Sequence, residues 1–199
     1  WINKNVLFEF LRNQGYKIIT FSTGFYLNDI KTSDYYFSPP SMPDSFIFEV
    51  INNSALSLIY WEQQYLWHTA RVDLTLDKVG DLGDFDTPIF VYAHIMLPHP
   101  PFVFQDDGEV IIPPKKFDLR DNNSFIKLDS EETYIAGYKA QVEYASDQII
   151  KIVDQIQKNS PEAVIIIQGD HGQGAFFRDN NLELSNLNEK AHILNAYYF

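Results

Sequence analysis

The sequence predicts an α/β fold built on a mostly parallel sheet, and three observations carry that prediction. The run from Val164 to Ile167 is continuously apolar, which suits a strand covered on both faces, as parallel strands are. Ile135, Tyr138, Val142, Ala145, Ile149, Ile152, Val153 and Ile156 recur at three- and four-residue steps, the stripe of a long helix packed on a core. Ser160 and Pro161 end that helix and the apolar strand begins at once, the order of a crossover in a parallel sheet.

The remaining elements are taken in chain order. Trp1 to Gln14 reads as a helix with Val6, Leu7, Phe10 and Leu11 on one face, and Gly15 suits its C-cap. Tyr16 to Phe21 reads as a strand, so helix, glycine and strand form one arm of an α/β unit. Ser22, Thr23 and Gly24 come next, where a ligand loop could lie, but no base or elbow motif accompanies the hydroxyls and a plain turn is expected. Asn28 to Asp44 is polar, aromatic and proline-bearing, the composition of a surface excursion. Ser45 to Thr69 suggests one or two helices, with His68 packed or at the surface, and Asp73 to Asp86 reads as an acidic linker. Pro88 to Phe102 repeats the construction of an apolar strand followed by a loop, and the run after it reads as a hairpin turning at Asp106, Asp107 and Gly108. Those acids lack the further oxygens of an EF-hand, so a solvated turn is expected there. The long helix spans Asp129 to Ser160, capped by Ser130 with Glu131 and Glu132 in its first turn. Phe176 to Lys190 reads as a polar loop over the site. His192 opens a last core strand and is expected to pack or hydrogen-bond locally.

Composition narrows the function. The chain has 199 residues, 45% hydrophobic, enough for one domain with a sizeable core. The net charge of -12 excludes a nucleic-acid surface, and an anionic substrate would need a metal or a local pocket against that field. With no cysteine there are no disulfides, thiolate sites or cysteine nucleophiles. No stretch reaches the roughly 18 apolar residues of a membrane span. The chain opens on Trp1 and closes on an apolar ILNAYYF, which predicts an internal fragment of a longer protein.

Chemistry-bearing residues stand where both strand patterns end. Asp170 and His171 pair a carboxylate with an imidazole, donors suited to one divalent metal, zinc or manganese most naturally. The alternative is that Asp170 caps a turn and His171 packs beside it. His99 stands among Pro98, Pro100 and Pro101, whose fixed φ angles stiffen the loop, so it is expected to face a substrate or a metal. His94 still lies within the strand pattern, and both roles stay open for it.

In this order HIMLPHPPF, the long helix and IIIQGDHG resemble the alkaline-phosphatase-like superfamily, in particular its sulfatase-like branch of lipoteichoic acid synthases and phosphoethanolamine transferases. YKIITFSTG and ILNAYYF resemble that branch too. The resemblance implies a three-layer α/β/α sandwich truncated at both ends, with residues 1–199 forming part of a sulfatase-like catalytic domain. It implies Asp170 and His171 as metal ligands, with Zn2+ or Mn2+ expected and Mg2+ or Ca2+ as further options. His99 would bind phosphoryl or sulfuryl oxygens or help to hold a second metal, and His94 would complete the strand-end pair. The nucleophile would lie upstream of this chain, so turnover by the chain alone is not expected. The implied activity is that of a phosphoryl or phosphoglycerol transferase or hydrolase on phosphate esters of the cell envelope. A sulfatase and a non-catalytic interaction domain are the alternatives. The implied substrate is a phosphate or sulfate ester, lipid- or glycan-linked, and the implied location is the extracytoplasmic side of a bacterial membrane-anchored parent. Pro-Pro after His99, where phosphoethanolamine transferases commonly have Gly-Pro, leaves the substrate class open.

Overall fold

The computed structural model describes residues 5–119, 130–174, 176–177 and 181–199. Residues 1–4 of the expected first helix, Asp129 at the expected start of the long one, and 178–180 of the expected loop lie outside that set. The chain forms two compact units, one of residues 1–96 with 114–117 and one of residues 97–113 with 118–199.

The first unit holds a three-stranded parallel sheet, so the mixed α/β class is the one observed. Helix α1 (Val6–Asn13) starts at Asn5, whose side chain accepts the Leu7 N–H. Gly15 lies just past its end at φ 87°, the left-handed conformation that terminates helices. Strand β1 (Lys17–Phe21) is central, flanked by β2 (Tyr35–Phe37) and β3 (Ile89–Tyr92), both parallel to it. Central position explains why Ile18, Ile19, Thr20 and Phe21 are all buried. Helix α2 (Ser45–Asn52) begins at Asp44, whose carboxylate accepts the Ile47 N–H. Helix α3 spans Trp61–Val79.

Three expectations change in this unit. The segment read as a surface excursion supplies β2, and it buries Asp29 and Ile30 against the sheet. The acidic linker is helix as far as Val79, because Val72, Thr75 and Leu76 bury one side while Asp77 faces outward. On α1 the buried residue is Phe8, packed with Ile18 and Ile30, while Val6, Leu7 and Phe10 are exposed.

The second unit is organised on helix α4 (Glu131–Asn159), whose N-cap Ser130 accepts the Thr133 N–H as expected. Its buried residues are Tyr134, Gln141, Ala145 and Ile152, whereas Ile135 and Val142 face outward. Ala145 and Ile152 belong to the stripe read in the sequence, whereas nearer the N-terminus the buried side shifts to Tyr134 and Gln141, because the helix packs there on the segment after Pro98. There Phe102 meets Tyr134 edge-on, Phe104 stacks on Tyr144, and the Phe102 ring lies where a side chain at Gly137 would be. The hairpin read around Gly108 is present, with Phe104 bridged antiparallel to Val110 and Gly108 at φ 90°.

Strand β4 (Ile165–Gln168) pairs antiparallel with β5 (Asn195–Tyr198). Its burial alternates, with Val164 and Ile166 exposed, so the expected two-sided cover is not what its own unit provides. β5 is exposed along its whole length, contrary to the core strand expected. Between them, the expected loop contains a short 3-10 turn at Leu182–Leu184 and helix α5 (Leu187–Ala191).

Candidate functional site

Asp170 and His171 lie in the turn that leaves β4, and backbone hydrogen bonds tie this turn to α5 and to Leu194, just ahead of β5. Gly169 donates its N–H to the Leu194 carbonyl at 2.9 Å, and Gly172 donates to the Lys190 carbonyl at 2.8 Å. A Cβ on Gly172 would collide with the Glu189 carbonyl oxygen, so only glycine admits this close approach of turn and helix. The side chains of Gln173 and Glu189 add a further hydrogen bond.

Within the turn, the Asp170 carboxylate divides its work. Its Oδ1 accepts the His171 backbone N–H at 2.9 Å, the capping role open to it from sequence. Its Oδ2 faces His171 Nε2 at 3.9 Å. His171 Nδ1 lies 2.7 Å from the Gly172 carbonyl and 2.9 Å from Lys190 Nζ; when the proton is on Nδ1 and donated to Gly172, the Nε2 lone pair is free on the side of Asp170. Metal-binding histidines commonly carry this second-nitrogen bond to a carbonyl. With each donor at about 2.1 Å, tetrahedral sharing of one ion would set the donors about 3.4 Å apart, so the pair supplies two of a divalent-metal shell's donors on closing by about 0.5 Å. Among the described residues no group of three or more His, Cys, Asp or Glu forms a fuller set.

His99 belongs to the same unit. Its Nδ1 lies 2.5 Å from the Pro100 carbonyl, and its own carbonyl accepts from Gln141 Nε2 at 3.1 Å. Gln141 is fully buried, and its Oε1 also accepts the Val103 and Phe104 N–H groups at 2.8 and 3.2 Å. One amide on α4 thus pins both ends of the loop that carries His99. Gln141→Leu is expected to cost about 2–3 kcal/mol, since it strands two buried N–H groups and a carbonyl. Urea unfolding checks this, and a loss below about 0.5 kcal/mol would show that the clamp is not structural.

His94 belongs to the other unit, half-buried and two residues beyond β3 rather than within it. His68 is buried against Phe117, the packed role expected. His192 is exposed at the end of α5 and donates its backbone N–H to Asn188, a capping contact.

The segment after β1 holds a buried polar network that spacing did not reveal. Arg71 on α3 is 4% exposed, and it donates to Ser22 Oγ at 3.2 Å and to the Trp67 and Pro43 carbonyls. Asp29, also buried, accepts from Tyr36 Oη at 2.8 Å and from the Thr23 N–H. Burial pulls the pKa of Arg71 below its ordinary value, opposed by the charges of Asp29 and Tyr36. Burial, with Asp29 adding to it and a Ser22 hydrogen bond opposing, pushes the Tyr36 phenol well above its usual range. A Cβ on Gly24, at φ 76°, would lie 2.8 Å from the guanidinium. These contacts fix a turn, the plainer of the two readings of Ser22 to Gly24.

Sequence reasoning missed Gln141, Arg71 and Lys190. A signal existed for two of them: Gln141 continues the steps of Tyr134, Tyr138 and Ala145, and Arg71 continues those of Gln64, His68 and Thr75. Lys190 carried none.

A family model described as Sulfatase matches residues 1–193. No curated protein and no solved structure matches.

Proposed function

The chain belongs to the sulfatase family, and on that premise we propose that it forms part of a metal-dependent phosphoryl or phosphoglycerol transferase or hydrolase acting on phosphate esters of the cell envelope. The observation that carries this reading is the Asp170–His171 pair, with Nδ1 beside a carbonyl and Nε2 turned to the carboxylate. Sulfatase-family domains generally use divalent metal ions, and Asp170 and His171 are the residues that would hold one here. Zn2+ or Mn2+ suits a mixed nitrogen and oxygen donor pair. Such an ion supplies counter-charge to the group being transferred, which a chain of net charge -12 otherwise opposes.

The protein's own part is binding and orientation. His99, on a loop pinned by Gln141, is assigned to the oxygens of the transferred group. The substrate is read as a lipid- or glycan-linked phosphate ester met on the extracytoplasmic side of a membrane; no described helix is long and apolar enough to cross one.

The test is binding of glycerol phosphate and of sulfate to the full chain by calorimetry, with and without Mn2+. The expected result is metal-dependent binding of the phosphate ester, weakened about tenfold or more by His99→Ala through the loss of a charge-assisted hydrogen bond. Equal or stronger binding of sulfate, or phosphate binding indifferent to both metal and His99, would overturn the reading.

A further inference from the structure

The ring of His171 has two neighbours at one nitrogen, and they make opposite demands. Nδ1 lies 2.7 Å from the Gly172 carbonyl oxygen, which only accepts, and 2.9 Å from Lys190 Nζ, which as an ammonium only donates. A proton on Nδ1 satisfies Gly172 and leaves Lys190 facing another donor. A lone pair on Nδ1 satisfies Lys190, leaves Gly172 facing another lone pair, and moves the ring proton to Nε2. Nε2 is the nitrogen turned toward Asp170.

We propose that Lys190 gates the ligating tautomer of His171: seated on Nδ1 it places the proton on Nε2 and closes that nitrogen to a divalent cation. When it leaves, Nδ1–H bonds Gly172 and the Nε2 lone pair is open. The proposal rests on the reading of Asp170 and His171 as a metal pair. Lysine and cation then bind the ring exclusively of one another, and the repulsion between dication and ammonium acts in the same direction.

The placement of Lys190 is built into the backbone. The Lys190 carbonyl accepts the Gly172 N–H at 2.8 Å, and the next residue back, Glu189, lies so close that Gly172 has no room for a Cβ. The root of the lysine is thereby held beside the ring, and its ammonium reaches Nδ1.

The experiment compares the wild-type chain with Lys190→Met and Lys190→Arg, with amide NMR spectra checking that each is folded. Side-chain 15N shifts of His171 without metal report the tautomer, and calorimetry reports Zn2+ affinity. Wild type is expected to carry the proton on Nε2 and Lys190→Met on Nδ1, with zinc bound about tenfold tighter by the methionine variant, the low end of outer-shell effects on metal affinity. Lys190→Arg, which keeps a donor, is expected to stay near wild type. An unchanged tautomer, or a changed tautomer with unchanged zinc affinity, overturns the gate. A tautomer that moves in a chain where no form binds zinc overturns instead the metal reading beneath it, and the gate's function with it.

Discussion

Arg71→Met is expected to lower the stability of the chain by about 3–5 kcal/mol, the cost of removing a buried guanidinium from the polar groups built around it. Methionine retains most of the packing of the arginine stem, so the loss reports the guanidinium. Three acceptors lose a hydrogen bond from the guanidinium at once: the Ser22 hydroxyl and the Trp67 and Pro43 carbonyls. The cation over the Phe48 ring, 5.5 Å from its centroid, is lost as well. The buried Asp29 carboxylate then keeps Lys31, at 3.7 Å, as its nearby opposite charge. Since a domain is stable by only about 5–15 kcal/mol, about a fifth of the total or more would go with one side chain. Urea unfolding measures it, and a loss under about 1 kcal/mol would mean that the network is incidental to the turn it joins.

Asp170→Asn and His171→Ala are each expected to weaken Zn2+ or Mn2+ binding by at least about 100-fold, since each removes one of the two donors and even outer-shell changes cost 10–100-fold. Asparagine separates the two roles of Asp170. Its side-chain oxygen still accepts the His171 N–H, so the turn should unfold at nearly the wild-type urea concentration while metal binding collapses. Loss of stability with metal affinity intact would leave Asp170 a turn residue and nothing more. Metal titration of both variants beside wild type decides the point.

Legibility from sequence tracked the locality of each interaction. Ser130 capping α4, Gly15 ending α1 and the Gly108 turn depend on a few adjacent residues, and each could be read directly. The faces of the helices could not. On α4 the apolar steps pointed to Ile135 and Val142, but Gln141 is buried because three backbone groups of the His99 loop need its amide. A buried glutamine looks polar in a pattern and becomes interior only when a partner segment arrives. The same holds for α3, whose buried side carries Gln64, His68, Arg71 and Thr75 and so blurs its periodicity. Strand β2 was hidden because three residues beside β1 leave too short a period to see among aspartates, serines and prolines.

By itself the sequence determined the α/β class, the family, and the position of Asp170 and His171 at the end of a strand. All three rest on local pattern and on residue order along the chain. Only the tertiary structure decided that β4 takes β5 as an antiparallel partner, that Gln141 pins the His99 loop, and that Lys190 reaches the ring of His171. Those contacts join residues 19 to 42 positions apart, and nothing in a local period encodes which distant group will satisfy a buried amide or share a ring nitrogen.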